Sequence, residues 1–282
     1  MQKINLVTVV GHNITMLPHM LEHYKNIVDE IYVVVYRQHE NDGILDEIKS
    51  LGITPHKVVT EEKFNWERVT QLYNEVKRTK PQEWWVVSDD DEFHVYPKPI
   101  REMISECEEN GWEFITGGFL DRIGENGEFP LVTKETDIWS KFPLAGYFRY
   151  PMSGACPNKV CIMKGSVDVT PGQHYAIIDE THVWGTDGIL HPLRYPIGRG
   201  EGFVQVHHFK WDSTVLERLK EVSETEEKYS FWEEYKKMYK AIQINDWKVD
   251  INNPEFMLEK MESNFHFDYS KWNRLTRKII SI

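Results

Sequence analysis

Apolar and polar positions in the first hundred residues alternate between two periods. The segment INLVTVV, Ile4–Val10, is a continuous β-rich apolar run, whereas MLPHMLEHYKNIV after it spaces its apolar residues at helical intervals. EIYVVVY reads as a second buried strand, GILDEIKSLG as a helix stopped by Gly52, and TPHKVVT as a third strand. WERVTQLYNEVKRTK is a further helix and EWWVVS a fourth strand. This βαβαβαβ order predicts an α/β fold whose parallel sheet carries helices on its faces. Ligands of such sheets gather beyond the carboxyl ends of the strands.

A helix is predicted from position 97 to about 111, and WEFITGGF is another strand, after which the regular alternation stops. Positions 121–208 are rich in Gly, Pro, His and aromatic residues, with NKVCIMK and GFVQVHHF as strand candidates, so antiparallel additions and long loops are expected. From about 213 the pattern is charged and helical (TVLERLKEVSETEEKY, FWEEYKKMYKAIQ), with a break at Pro254. The expected organisation is one α/β domain over 1–212 and a C-terminal helical extension over 213–282. No internal repeat or low-complexity linker interrupts it.

Length and composition fit a globular chain: 282 residues, 40% hydrophobic and 28% charged. The formal charge of -12 argues against a general binder of nucleic acid or of anionic membrane surfaces. No run approaches the roughly 18 apolar residues of a membrane span, and the first sixteen residues lack a secretory pattern, so a soluble cytoplasmic protein is expected. Cys107, Cys156 and Cys161 form neither a disulfide framework nor a zinc pattern, in keeping with a reducing compartment. The NIT triplet at Asn13 would matter only in a secretory context. Ten Trp and thirteen Tyr supply stacking surfaces.

The densest chemistry is the acid run of WWVVSDDDEFHVYP. Asp89, Asp90, Asp91 and Glu92 repel one another unless a cation or a set of donors offsets their charge. A divalent ion is one solution, since carboxylates suit Mg²⁺ or Mn²⁺ with substrate phosphates completing the shell. A solvated acidic turn is the other. The spaced aspartates and central glycine of an EF-hand are absent.

An apolar strand ending in SDDDEF resembles the DxD element of GT-A fold glycosyltransferases, in particular the family 2-like subset whose strand ends in DxDEF. NITMLPHMLEHYKNIVDEIYVVV resembles the opening of those enzymes, KPQEWWVVSDDDEF their approach to the metal site, GGFLDRIGENG their Asp-Arg segment, and VQVHHFKWDS their late histidine segment. The resemblance covers about 4–215. It implies a GT-A, Rossmann-like and mostly parallel central sheet with flanking helices plus the helical tail. It departs from the family where a base-binding Asp would close the second strand, for Tyr36 and Arg37 stand there, with Asp42 further on.

The resemblance implies an inverting transfer of a sugar from a nucleotide-diphosphate sugar to a glycan or other hydroxyl acceptor, with Mn²⁺ or Mg²⁺ acting as a Lewis acid on the departing diphosphate. Asp91 is the first choice of metal ligand, with Asp89 as a second ligand or a contact to ribose and metal-bound water, and His208 as the third ligand. His207 would face the opposite way in a strand. His174 matches another family position. Glu92 would orient the acid loop or touch the donor sugar. Thr8, His12, Asn13, Arg37, Asp42, Arg68 and Asp90 are the further donor-binding candidates. Arg68 is equally readable as a surface residue of an amphipathic helix. Asp121 and Asp187 are alternative general bases. Trp139 and Trp184 could stack on an acceptor sugar, or be core. Two other classes remain: an Mg²⁺-dependent nucleotidyltransferase or phosphohydrolase, and a non-catalytic carbohydrate-binding protein.

Overall fold

A computed structural model describes residues 2–11, 13–146, 158–178, 181–184, 193, 195, 204–225, 232–254 and 259–260. The chain divides into two compact units, one of residues 1–118 with 158–206, the other of 119–157 with 207–282.

In the first unit, β1 (Ile4–Val10), β2 (Glu30–Arg37), β3 (Lys57–Thr60) and β4 (Trp84–Val87) form the parallel heart of the sheet, in the order β3-β2-β1-β4. The continuous apolar runs of β1, β2 and β4 reflect burial on both faces, whereas β3 alternates between half-buried and exposed positions. The connections are helices α1 (Leu17–Tyr24), α2 (Ile44–Ser50) and α3 (Trp66–Arg78). The side chain of Asn65 caps α3 by accepting from the amides of Glu67 and Arg68. One face of α3 buries Val69, Leu72, Tyr73 and Val76 against a core that includes Val7, Val34, Trp85 and Val87.

Beyond β4 come β5 (Glu92–Val95) and α4 (Ile100–Asn110). The fold then turns antiparallel: β8 (Asn158–Lys164) inserts between β4 and the first half of β6 (Phe114–Ile123), opposed to both, with a register shift at Ile115 and Thr116. A separate sheet of β9 (Asp168–Val169), β10 (Tyr175–Ile178) and β11 (Thr181–Trp184) follows. It is fastened to α3 by polar side chains. Asn74 exchanges two hydrogen bonds with the backbone of Val169, at 3.1 Å each, and the fully buried Lys77 ammonium donates to the carbonyl of Val167.

In the second unit, the second half of β6 pairs antiparallel with β7 (Leu144–Gly146), which pairs with β13 (Glu259–Lys260). A short helix, α5 (Ile138–Lys141), is capped by Asp137. The expected tail helices are present as α6 (Val215–Glu224) and α7 (Trp232–Ile244). Their apolar faces pack with Ile123, Trp211 and Val249 into one core. Strand β12 (Val204–His208) pairs with β6. The fold is thus mixed α/β, with a parallel core, flanking helices and C-terminal helices. No helix among the described residues is long and apolar enough to cross a membrane.

Two glycines separate conformational need from close packing. Gly43 and Gly127 both have left-handed backbones, at φ +80° and +77°. A Cβ on Gly43 would meet nothing within 4 Å, whereas one on Gly127 would lie 2.1 Å from the carbonyl oxygen of Val249. Gly127→Ala is therefore expected to cost about 1–3 kcal/mol or more, and Gly43→Ala less, with thermal denaturation of the two variants as the check.

Candidate functional site

The acid run leaves β4 at the edge where a parallel sheet keeps its ligands. It is a pinned turn. The amide of Glu92 donates to the carbonyl of Asp89 at 3.0 Å, and the Ser88 hydroxyl donates to the carbonyl of Glu92 at 2.7 Å. Behind it, the hydroxyl of Tyr24 donates to the same Glu92 carbonyl at 3.3 Å and accepts from the amide of His94 at 2.9 Å. The stretch from Glu92 is the strand β5, with Phe93 and His94 buried. Burial holds the imidazole of His94 well below its ordinary pKa, helped by the nearby Lys159 and His23, so it is neutral.

The charge of the turn is offset first from within the protein. Lys159, at the start of β8, places its ammonium 2.8 Å from Glu92 and 3.8 Å from Asp89. Both Lys159 and Glu92 are almost fully buried. Lys159 also donates to the side-chain oxygen of Gln173, whose amide nitrogen lies 3.4 Å from Asp89. Tyr73 donates to Asp89 at 2.6 Å, and burial together with that carboxylate raises the phenol well above its ordinary pKa. Asp89 is thus oriented by Tyr73 and Gln173, while Asp90 and Asp91 occupy the half-buried crest of the turn. Lys159 is not among the candidates the sequence offers, although a lysine opening an apolar strand is a signal that a buried cation needs a partner.

The other donor candidates are placed as follows. Thr8 is fully buried on β1, and its hydroxyl has no hydrogen-bond partner among the described residues. Asn13 accepts from the amide of Thr15 at 2.9 Å and from its hydroxyl, shaping the entry to α1. Arg37 donates to Thr60 at 3.2 Å, to the carbonyl of Glu40 at 2.6 Å and to Asp42 at 3.4 Å. The Arg37–Asp42 pair therefore closes the end of β2, where the family resemblance expected a base-binding Asp. Arg68 lies between Glu61 at 3.0 Å and Glu75 at 2.7 Å, which raises its pKa further. The ring of His174 meets the carbonyl of Asn158 at 2.7 Å. His12 and Asp187 lie outside the described residues, as does the side chain of Trp184.

In the second unit, Asp121 and Arg122 on β6 meet the paired histidines of β12. His208 Nδ1 is 3.0 Å from Asp121 Oδ1, which also accepts from the Trp211 indole at 3.0 Å. His207 Nδ1 is 3.4 Å from Arg122 Nη1. The guanidinium of Arg122 also donates to the carbonyl of Phe142 at 2.9 and 2.6 Å and lies over the rings of Trp139 and Phe209. Burial lowers its pKa to about 10, which leaves it cationic at neutral pH. The two histidines thus meet different partners on β6. Trp139 packs against His207, Phe209 and Arg122, which is the core reading of that residue.

No protein-family model matches the chain, and no curated protein does. Solved structures give weak likenesses. TarS 1-349 of S. aureus in complex with UDP-GlcNAc aligns at 15% identity and a TM-score of 0.28, over 45% of this chain and 36% of that one. The chain therefore spans little more than a third of that fragment. Mannose-6-phosphate isomerase from Helicobacter pylori aligns at 12% identity and a TM-score of 0.30, covering 58% and 71%. A 4-diphosphocytidyl-2C-methyl-D-erythritol synthase aligns at 13% identity and a TM-score of 0.29, covering 59% and 76%.

Proposed function

We propose that this protein is a metal-dependent glycosyltransferase that takes a nucleotide-diphosphate sugar and moves the sugar to a hydroxyl of a glycan or glycoconjugate. The observation that carries the reading is the pinned acid turn at the carboxyl edge of β1 and β4, where Asp89 is already oriented by Tyr73 and Gln173. Carboxylate oxygens with an imidazole nitrogen, the ligand types of the proposed set, suit Mn²⁺ and also Mg²⁺. In this reading Asp91 and His208 hold the ion. Asp89 is a further ligand or meets ribose and metal-bound water, and Asp90 borders the donor. When bound, the ion supplies Lewis-acid stabilisation of the departing diphosphate.

Glu92 acts through its pair with Lys159, which fixes the turn, rather than on the sugar directly. Thr8, His12 and Asn13 are the proposed contacts to the nucleoside, with Arg37 and Asp42 proposed for the base end. Arg68 is not needed. Asp121 is fully buried and bonded to His208 and Trp211, which favours Asp187, the other candidate, as the proposed acceptor base.

The test is a melting-temperature screen of nucleotides and sugar nucleotides with and without Mn²⁺. A nucleoside diphosphate is expected to raise Tm only when Mn²⁺ is present. Asp91→Ala should abolish that shift and keep the metal-free Tm, because it removes one of four clustered acids. An Asp91→Ala protein stabilised as well as the parent would remove the site. Release of pyrophosphate, in place of a nucleoside diphosphate, would assign the protein to nucleotidyl transfer.

A further inference from the structure

Two neighbours on β6, Asp121 and Arg122, meet two neighbours on β12, His208 and His207. The partners are chemically opposite. A carboxylate offers only acceptors, so the nitrogen facing it must carry a hydrogen, whereas a guanidinium offers only donors, so the nitrogen facing it must be a lone pair. In both histidines the nitrogen concerned is Nδ1. All four side chains are buried, and the Asp121 oxygen is held in place by the Trp211 indole as well.

We infer that Asp121 and Arg122 set the adjacent histidines in opposite tautomers, His208 with its proton on Nδ1 and His207 with its proton on Nε2, so that of the two only His208 offers an Nε2 lone pair. Asp121 is then a positioning residue. This rests on the proposed role of His208 as a metal ligand: a ligating histidine donates its other ring nitrogen to a carboxylate, which fixes its tautomer and orientation. Arg122 excludes the neighbour from the same role, because an imidazole nitrogen that bears hydrogen does not coordinate a cation. The arrangement also explains why a buried arginine stands beside a buried aspartate in the chain without pairing to it: successive residues of a strand face opposite ways.

The experiment is nitrogen and carbon NMR of histidine-labelled, metal-free protein, with His207 and His208 assigned through single substitutions, followed by Mn²⁺ titration. His208 should report the Nδ1–H form and His207 the Nε2–H form. Asp121→Asn should disturb the His208 tautomer and weaken Mn²⁺ binding by about 10–100-fold, whereas His207→Ala should leave Mn²⁺ binding unchanged. An Nε2–H form of His208 in the parent protein overturns the inference without any variant having to fold. So does an Asp121→Asn protein with unchanged tautomer and affinity. A parent protein that binds no Mn²⁺ would instead strike the metal reading of the site, and the tautomers would still be decided by the spectra.

Discussion

Replacing Lys159 with Met should destabilise the protein by about 3–5 kcal/mol, the cost of leaving one member of a buried ion pair without its partner. The stranded group is the Glu92 carboxylate, 1% exposed and 2.8 Å from the ammonium in the intact protein. Asp89, 3.8 Å from the same ammonium, would lose part of its compensation too. Methionine keeps the length of the side chain, so the loss is one of charge rather than volume. Adding Glu92→Gln to Lys159→Met should recover most of the stability, because a neutral pair no longer pays to desolvate a single ion. Urea denaturation of the parent, both single variants and the double variant gives the coupling directly. Additive single losses would show that the two groups do not act as a pair.

The second large effect is a pH dependence centred on Lys77. Its ammonium is fully buried against the carbonyl of Val167, and desolvation pulls its pKa down to about 7 from 10.5. Between those values the unfolded chain holds a proton on Lys77 that the folded chain has released, so unfolding takes up a proton. Stability must then rise with pH across the window from about 7 toward 10.5, with a slope approaching 1.4 kcal/mol per unit from this group. Lys77→Met should raise stability most at pH 7 or below, with the advantage shrinking as pH rises. The difference between the two proteins at pH 7 and pH 9 is the quantity to measure, because Cys107 and Cys161, both raised by burial, act in the opposite direction from about pH 9 upward in each protein alike. A constant difference across that window would exclude a neutral Lys77 in the native state.

The parallel heart of the fold was legible because strands buried on both faces must be apolar throughout, and INLVTVV, EIYVVVY and EWWVVS are. The helix ends were legible to within a few residues. β5 was not, since EFHV carries an acid and a histidine whose burial depends on Lys159 and Tyr24, which lie 67 and 68 positions away from Glu92. The acid run announced itself by repulsion alone, but the partner that offsets it could not be read: an antiparallel strand brings Lys159 alongside, and that insertion is a fact of topology. Asp121 shows the same limit. Its type and place suggested a base, and only the register of β6 against β12 reveals that it faces His208.

The late arrival of β8 also orders the birth of the molecule. A nascent chain that has yet to emit Asn158 has made β4 with one flank unpaired and Glu92 with its counter-ion still untranslated. Gln173, which steadies both Lys159 and Asp89, comes later still. The N-terminal half therefore has no route to its native electrostatics while the ribosome is mid-message, and the acid turn becomes affordable only once some 170 residues have been synthesised.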